Sequence, residues 1–248
     1  MLALITGATV GIGASSAQIL WENGYSLILT GRRGERLDQL KKELIHSKSR
    51  PGQFIETFQF DLQNQNQVQT FLDSNQKLIS EVTVLLNNAG LAKGTDQVQS
   101  SKISDWDQMI DTNVKGLLSM TRGILPGMIQ RNQGHIVNMG SVAGRWVYPG
   151  GAVYCATKFA VRAISEGLRQ DLLGTAIRIT NIEPGMVETE FSEVRLQDKA
   201  KAQAVYQGMR PLSAQDIAET ILWCVQRPAH VNIQELVIFP TDQAAVVS

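Results

Sequence analysis

Seven short apolar runs, separated by longer stretches of helical spacing, constrain this chain more than any other feature. The runs lie at Leu2 to Thr6, Ser26 to Thr30, Phe54 to Phe60, Val82 to Leu86, His135 to Met139, Ile177 to Ile182 and Glu235 to Phe239. Between them, Ala14 to Asn23, Glu35 to Ile45, Trp106 to Ile129, Tyr154 to Leu173 and Asp216 to Gln226 repeat apolar residues every three to four positions, the period of a helix face. Strands that are apolar throughout are buried on both faces, as happens when crossover helices cover a parallel sheet. The expected architecture is therefore α/β, a doubly wound parallel sheet of seven strands with helices on both sides. A chain of 248 residues is within reach of one core, so residues 1–248 are read as one domain.

Lysine plus arginine and aspartate plus glutamate number 23 each, which removes the general attraction that a nucleic acid or an anionic membrane needs. No apolar run is long enough to span a bilayer, and the first residues read as a strand without the basic flank of a signal peptide, so a cytoplasmic location is expected. Two cysteines, Cys155 and Cys224, make no disulfide scaffold, and no metal is expected. The Gln/Asn-rich stretch from Gln59 to Gln76 keeps an apolar stripe at Val68, Phe71 and Leu72 and is read as a surface helix. Residues 186–212 are the least regular and form the candidate substrate lid.

After the first run comes Thr6-Gly7-Ala8-Thr9-Val10-Gly11-Ile12-Gly13, then a helical pattern. Glycines let the backbone approach a pyrophosphate, and the following helix offers unpaired N–H groups, so this turn predicts a Rossmann-type nucleotide site. At the end of the second run, after Thr30 and Gly31, Arg32 and Arg33 stand where an NAD site usually places a carboxylate. A guanidinium suits a 2'-phosphate, which points to NADP, with one of the two arginines free to face solvent instead. Asp61, followed by Leu62, is placed either to accept from the adenine amino group or to cap a helix. Asn88, Ala89 and Gly90, with Asn87 before them, lie at the carboxyl edge of the fourth strand, where ligands bind in such sheets.

Ser141 follows the fifth run, and Tyr154 and Lys158 stand four residues apart on a predicted helix. That spacing puts the phenol and the ammonium on one helix face, where the cation favours the phenolate. To act near neutral pH a phenol must shift by roughly 3 units, or about 4 kcal/mol, more than one lysine supplies, so the oxidised cofactor's charge and hydrogen bonds must add to it. Ser141 then holds the substrate oxygen while Tyr154 exchanges its proton. Asn113, on a long helix, is placed to hold a water joining Lys158 to solvent or to be an ordinary surface amide.

Taken together, Thr6-Gly7 with Gly11 and Gly13, Asn87 to Gly90, Asn113, Ser141, Tyr154, Lys158 and Pro184-Gly185 resemble the short-chain dehydrogenase/reductase family over nearly the whole chain. The resemblance implies a catalytic tetrad of Asn113, Ser141, Tyr154 and Lys158, and cofactor carboxamide contacts around Pro184, Gly185, Val187 and Thr189. It also implies a homotetramer assembled through the helices at Trp106 to Ile129 and Tyr154 to Leu173. One departure is Thr9-Val10, where many NADP-using members carry a basic residue. Phosphate recognition then falls on Arg32, Arg33 and Thr30.

The longer stretches around Leu125-Pro126-Gly127-Met128, Tyr148-Pro149-Gly150-Gly151 and Ile182 to Ser192 are similar to those of the NADP-dependent 3-hydroxy acid dehydrogenases, which act on serine and allo-threonine. Related sulfoacetaldehyde reductases share much of this pattern. A small anionic substrate needs a cation, and Arg145 and Arg195 are the two candidates, Arg195 being favoured. The competing readings are a 3-oxoacyl carrier-protein reductase, which wants a basic docking surface, and an NADP-binding sensor without turnover.

Overall fold

The computed structural model describes residues 1–47 and 49–244. Its main sheet holds seven parallel strands in the order β3-β2-β1-β4-β5-β6-β9. These are β1 (Leu2–Thr6), β2 (Ser26–Gly31), β3 (Ile55–Gln59), β4 (Val84–Asn87), β5 (Gly134–Met139), β6 (Ile177–Pro184) and β9 (Glu235–Ile238). Two short strands, β7 (Val187–Glu188) and β8 (Leu212–Ser213), pair with each other at the two ends of the segment expected to form a substrate lid.

Alternation along each strand divides the apolar residues between two layers. Ala3, Ile5, Leu27, Leu29, Leu86 and Val137 face α1 (Gly11–Glu22), α2 (Gly34–His46) and α10 (Ala214–Val225). Leu2, Leu4, Ile28, Leu85 and Ile136 face the other side. There they meet α3 (Gln65–Ser74), α4 (Gln76–Ile79) and α6 (Leu117–Arg131). Leu4, Ile5, Leu27, Ile28, Leu29, Leu85 and Leu86 are completely buried, each contributing about 1.5–3 kcal/mol through burial. The glutamine-rich stretch is a helix as expected: Asn64 caps α3 by accepting from Asn66 and Gln67, and Val68, Phe71 and Leu72 are its buried side.

The long helix expected from Trp106 to Ile129 is one helical run in three parts. α5 (Ile103–Ile110) passes into a π-helical stretch, Asp111–Gly116, before α6 begins. A π-helical turn widens the helix by one residue and re-aims the side chains on it. Asn113 lies on it and is buried. The remaining helices are α7 (Ala152–Asp171), which packs beside β6, and the two lid helices, α8 (Glu190–Leu196) and α9 (Lys199–Ala204).

Strand order reverses between β1 and β4, so the loops leaving their carboxyl ends diverge and open a cleft. Both ends of the predicted site converge there.

Candidate active site

The cleft has a volume of about 690 Å³ and runs from Arg32 and Arg33 at one end to Tyr154 and Arg195 at the other. At the glycine turn, Gly7 has φ +66°, and a Cβ there would lie 2.9 Å from the Ala89 Cα, so glycine alone allows the β1 and β4 loops to meet. Gly13 lies one turn into α1, where a Cβ would stand 2.4 Å from the Gly7 oxygen and 2.5 Å from Asn88 Nδ2. Thr6 accepts from the Asn88 and Ala89 amides through Oγ1, and Asn88 Nδ2 donates to the Thr6 and Gly7 carbonyls. Thr6 and Gly13, expected as cofactor contacts, thus shape the turn from behind and do not line the cleft.

Gly7, Thr9, Gly11, Ile12, Asn88, Ala89 and Gly90 do line it. The first turn of α1 has no side-chain cap at Val10 and no acidic residue, so its amides remain available to an anion. Arg33 donates to Thr9 Oγ1 at 3.0 Å and Arg32 lies 3.8 Å from Asp61, which brings both guanidinium groups to one mouth of the cleft beside Thr30. Asp61 is not a helix cap: its Oδ1 accepts from Gln63 N in a local turn, Asn64 caps α3, and Asp61 and Leu62 both line the cleft. A bare helix start, close backbone approach and paired arginines are the donor set that a pyrophosphate with a 2'-phosphate requires, so these residues fit NADP.

At the other end, Lys158 donates to the Met139 carbonyl at 2.8 Å, and its Nζ lies 5.8 Å from the centre of the Tyr154 ring. Burial lowers the lysine from 10.5 to about 8 and raises the Tyr154 phenol above its ordinary 10, against hydrogen bonding from Ser141 and the charge of Arg195, which lower it. The protein alone therefore holds the tyrosine protonated. Ser141 turns out of β5, its Oγ accepting from Ala143 N at 3.1 Å and bonded to Tyr154. Asn113 is neither a surface amide nor a cleft residue. Its amide bonds both backbone groups of Leu91, at 2.9 and 2.8 Å, and donates to Thr157 Oγ1 at 3.0 Å. It ties the β4 loop to α7 next to Lys158, since a Cβ on Gly90 would be 3.3 Å from Asn113 Oδ1 and 3.5 Å from Lys158 Nζ.

The two candidate arginines part company. Arg145 turns away from the cleft into an ion cluster with Glu183 and Glu235, and Arg162 closes the cluster at 3.0 Å from Glu235. The expectation that Arg145 meets a substrate is corrected accordingly: its charge is already matched. Arg195 lines the cleft with its guanidinium carbon 5.3 Å from the Tyr148 ring centre and 5.9 Å from that of Tyr154. Its Nε donates to Gly94 O at 3.2 Å, and among the described residues no carboxylate pairs with it.

Pro184, Gly185, Val187 and Thr189 line the cleft between the two ends. Residues 186–212 and the turn after β9 also bring residues that sequence reasoning did not assign a role. Phe191 packs on Tyr154 with ring centres 5.8 Å apart, Tyr206 donates to Val187 O and bonds Ser192, and Gln243 accepts from Met186 N at 2.7 Å. Of the residues around Tyr154, Tyr148 and Phe191 carried a signal, as parts of the Tyr148-Pro149-Gly150-Gly151 and Ile182 to Ser192 stretches.

Among the described residues no helix is long and apolar enough to cross a membrane. The short chain dehydrogenase family matches residues 1–200. The NADP-dependent 3-hydroxy acid dehydrogenase YdfG of Salmonella typhi is 47% identical over 246 residues, covering 98% of this chain and 96% of that one. Sulfoacetaldehyde reductase 2 of Chromohalobacter salexigens is 44% identical over 245 residues, covering 98% and 95%. The solved closed form of serine dehydrogenase complexed with NADP+ superposes with a TM-score of 0.92 at 45% identity, covering 98% of this chain and 96% of that chain. Fold, cleft and relatives agree that this chain is an NADP-dependent oxidoreductase acting on CH–OH groups and belongs to the short-chain dehydrogenase/reductase family.

Proposed function

We propose that the chain interconverts a small 3-hydroxy acid, of the serine, allo-threonine or 3-hydroxypropionate type, and its carbonyl form. The observation that carries this reading is Arg195, a cation without a carboxylate partner among the described residues that lines the cleft beside the Tyr154 ring. An arginine in that position offers a planar pair of donors to a carboxylate while the substrate hydroxyl reaches the phenol. Bound at the glycine turn, NADP supplies the carbon that takes or gives the hydride. Ser141 Oγ orients the substrate oxygen and Tyr154 exchanges a proton with it. Lys158 places a positive charge beside the phenol and links it to the Met139 backbone, and Asn113 fixes the β4 loop against α7.

A sulfonate meets the same cation, and the similarity to a sulfoacetaldehyde reductase favours it as the second substrate class. Turnover is followed by absorbance of the reduced cofactor with L-serine, 3-hydroxypropionate, sulfoacetaldehyde and neutral alcohols. Tyr154→Phe is expected to lose roughly 10²- to 10⁴-fold in kcat. Arg195→Ala is expected to raise KM for the acids far more than for neutral alcohols, and equal losses on both sink the reading. Tight NADP binding without turnover on any of these substrates favours a sensor instead. A cytoplasmic homotetramer is part of the same proposal, supported by exposed Ile110, Leu118 and Phe159 on the helical run Ile103–Arg131 and on α7. Light scattering reporting a monomer counts against the assembly.

A further inference from the structure

The lid helix α8 is anchored at both ends, and its anchors belong to opposite ends of the cleft. At its first residue, Glu190 Oε1 accepts from Arg36 Nη1 at 2.7 Å and Oε2 accepts from Arg33 Nη1 at 3.1 Å. At its last turn, Arg195 Nε donates to Gly94 O and the Arg195 carbonyl accepts from Gly94 N at 3.1 Å. Hydrogen bonds from Arg36 and Arg33 lower the Glu190 carboxyl from its ordinary value, which favours its ionised form. Helix capping does not account for it, because Thr189 already accepts from Phe191 N at 3.2 Å.

We propose that Glu190 is a positioning residue that fixes α8 to Arg33, at the 2'-phosphate end, and to its neighbour Arg36, and through the helix fixes Arg195 over Tyr154. This rests on the reading of Arg195 as the partner of the substrate anion. With 7 residues the helix is about 10 Å long, too short to absorb a displacement of one end by bending. Between its ends Phe191 lies against the Tyr154 ring, so movement of the first turn is felt at the phenol. Arg33 spends one donor on Glu190 and one on Thr9. A guanidinium has five N–H donors, which leaves Arg33 able to meet a phosphate oxygen while the anchor holds. The cofactor end and the substrate end of the cleft then share one rigid element.

Glu190→Gln keeps the shape and removes the charge. It is expected to raise KM for 3-hydroxypropionate about fivefold, the scale of an exposed ion pair, with kcat changed by less than about twofold. In an Arg195→Ala background the same substitution is expected to move that KM by less than about twofold, since the group it positions is gone. Amide exchange across residues 190–196 in NADP-saturated protein, a reading independent of any substrate, is expected to quicken about fivefold in Glu190→Gln. Unchanged exchange overturns the proposal, as does a KM increase that persists in the Arg195→Ala background. So does NADP binding that tightens several-fold while KM for the acid stays put, which marks Glu190 as a competitor of the 2'-phosphate. If exchange quickens but Arg195→Ala alone fails to separate acids from neutral alcohols, the substrate reading falls and the anchoring of α8 to Arg33 and Arg36 stands.

Discussion

The turn after Ser141 and the helix α8 each carry an arginine that the sequence offered as a substrate partner, and the fold treats the two in opposite ways. Arg145 finds Glu183, which is fully buried on β6, and Glu235 on β9. Burial pushes the Glu183 carboxyl up even with that partner, so the pair is held together by need as much as by attraction. Arg195 finds two aromatic rings and a backbone carbonyl. An arginine is available to a ligand where the structure has left its charge unmatched. The same residue type is scaffold in one region and, in the proposed function, recognition in the other.

The comparison breaks if the two arginines respond alike to truncation. Arg145→Ala strands the Glu183 carboxylate in the interior and is expected to cost about 3–5 kcal/mol in urea unfolding, with no selective effect on KM for acids. Replacing Glu183 by Gln in the same chain should recover part of that loss, because the stranded charge is then gone.

Lys158 sharpens the comparison as a cation that is buried and also lacks a carboxylate among the described residues. Its fall from 10.5 to about 8 corresponds to about 3 kcal/mol, at about 1.4 kcal/mol per unit. The sign follows from proton binding. Below about 8 both folded and unfolded chains hold the proton, so the burial cost is fully present; between about 8 and 10.5 the unfolded chain holds more protons, so stability rises with pH. Lys158→Met should therefore abolish most turnover yet raise stability by up to about 3 kcal/mol at pH 7, a gain that fades towards pH 10.5. Unfolding curves at several pH values test it, and a destabilised variant at pH 7 refutes it.

The smallest effect belongs to Arg195→Ala. Losing its hydrogen bonds, to Gly94 O and the Tyr148 hydroxyl, and its stacking on aromatic rings is expected to cost about 1 kcal/mol in the same unfolding assay. A loss as large as that of Arg145→Ala would show that Arg195 is scaffold too.

Much of the cleft was legible because its chemistry is local in the chain. Gly7 must adopt a positive φ and Gly13 must admit a neighbouring backbone, requirements that only glycine meets wherever the rest of the chain goes. Tyr154 and Lys158 share a face because a helix repeats every 3.6 residues. Arg32 and Arg33 follow a central strand whose end must lie beside β1, so their neighbourhood was fixed with that strand. Asn113 was legible in position but not in role. Its bonds to Leu91 and Thr157 depend on a π-helical stretch that helical spacing alone does not announce.

The alternation of apolar runs and the residues at their ends determined by themselves the sheet, the cofactor turn and the placement of Tyr154 and Lys158 on one helix face, because backbone geometry and side-chain period act over a few residues. Tertiary structure alone decided which arginine keeps an unmatched charge in the cleft and what holds α8. Arg145 meets Glu183 and Glu235 across 38 and 90 positions, and Glu190 meets Arg36 and Arg33 across 154 and 157. Charge pairs at such separations follow from how strands and helices stack, and no local pattern in the chain encodes which carboxylate an arginine will find.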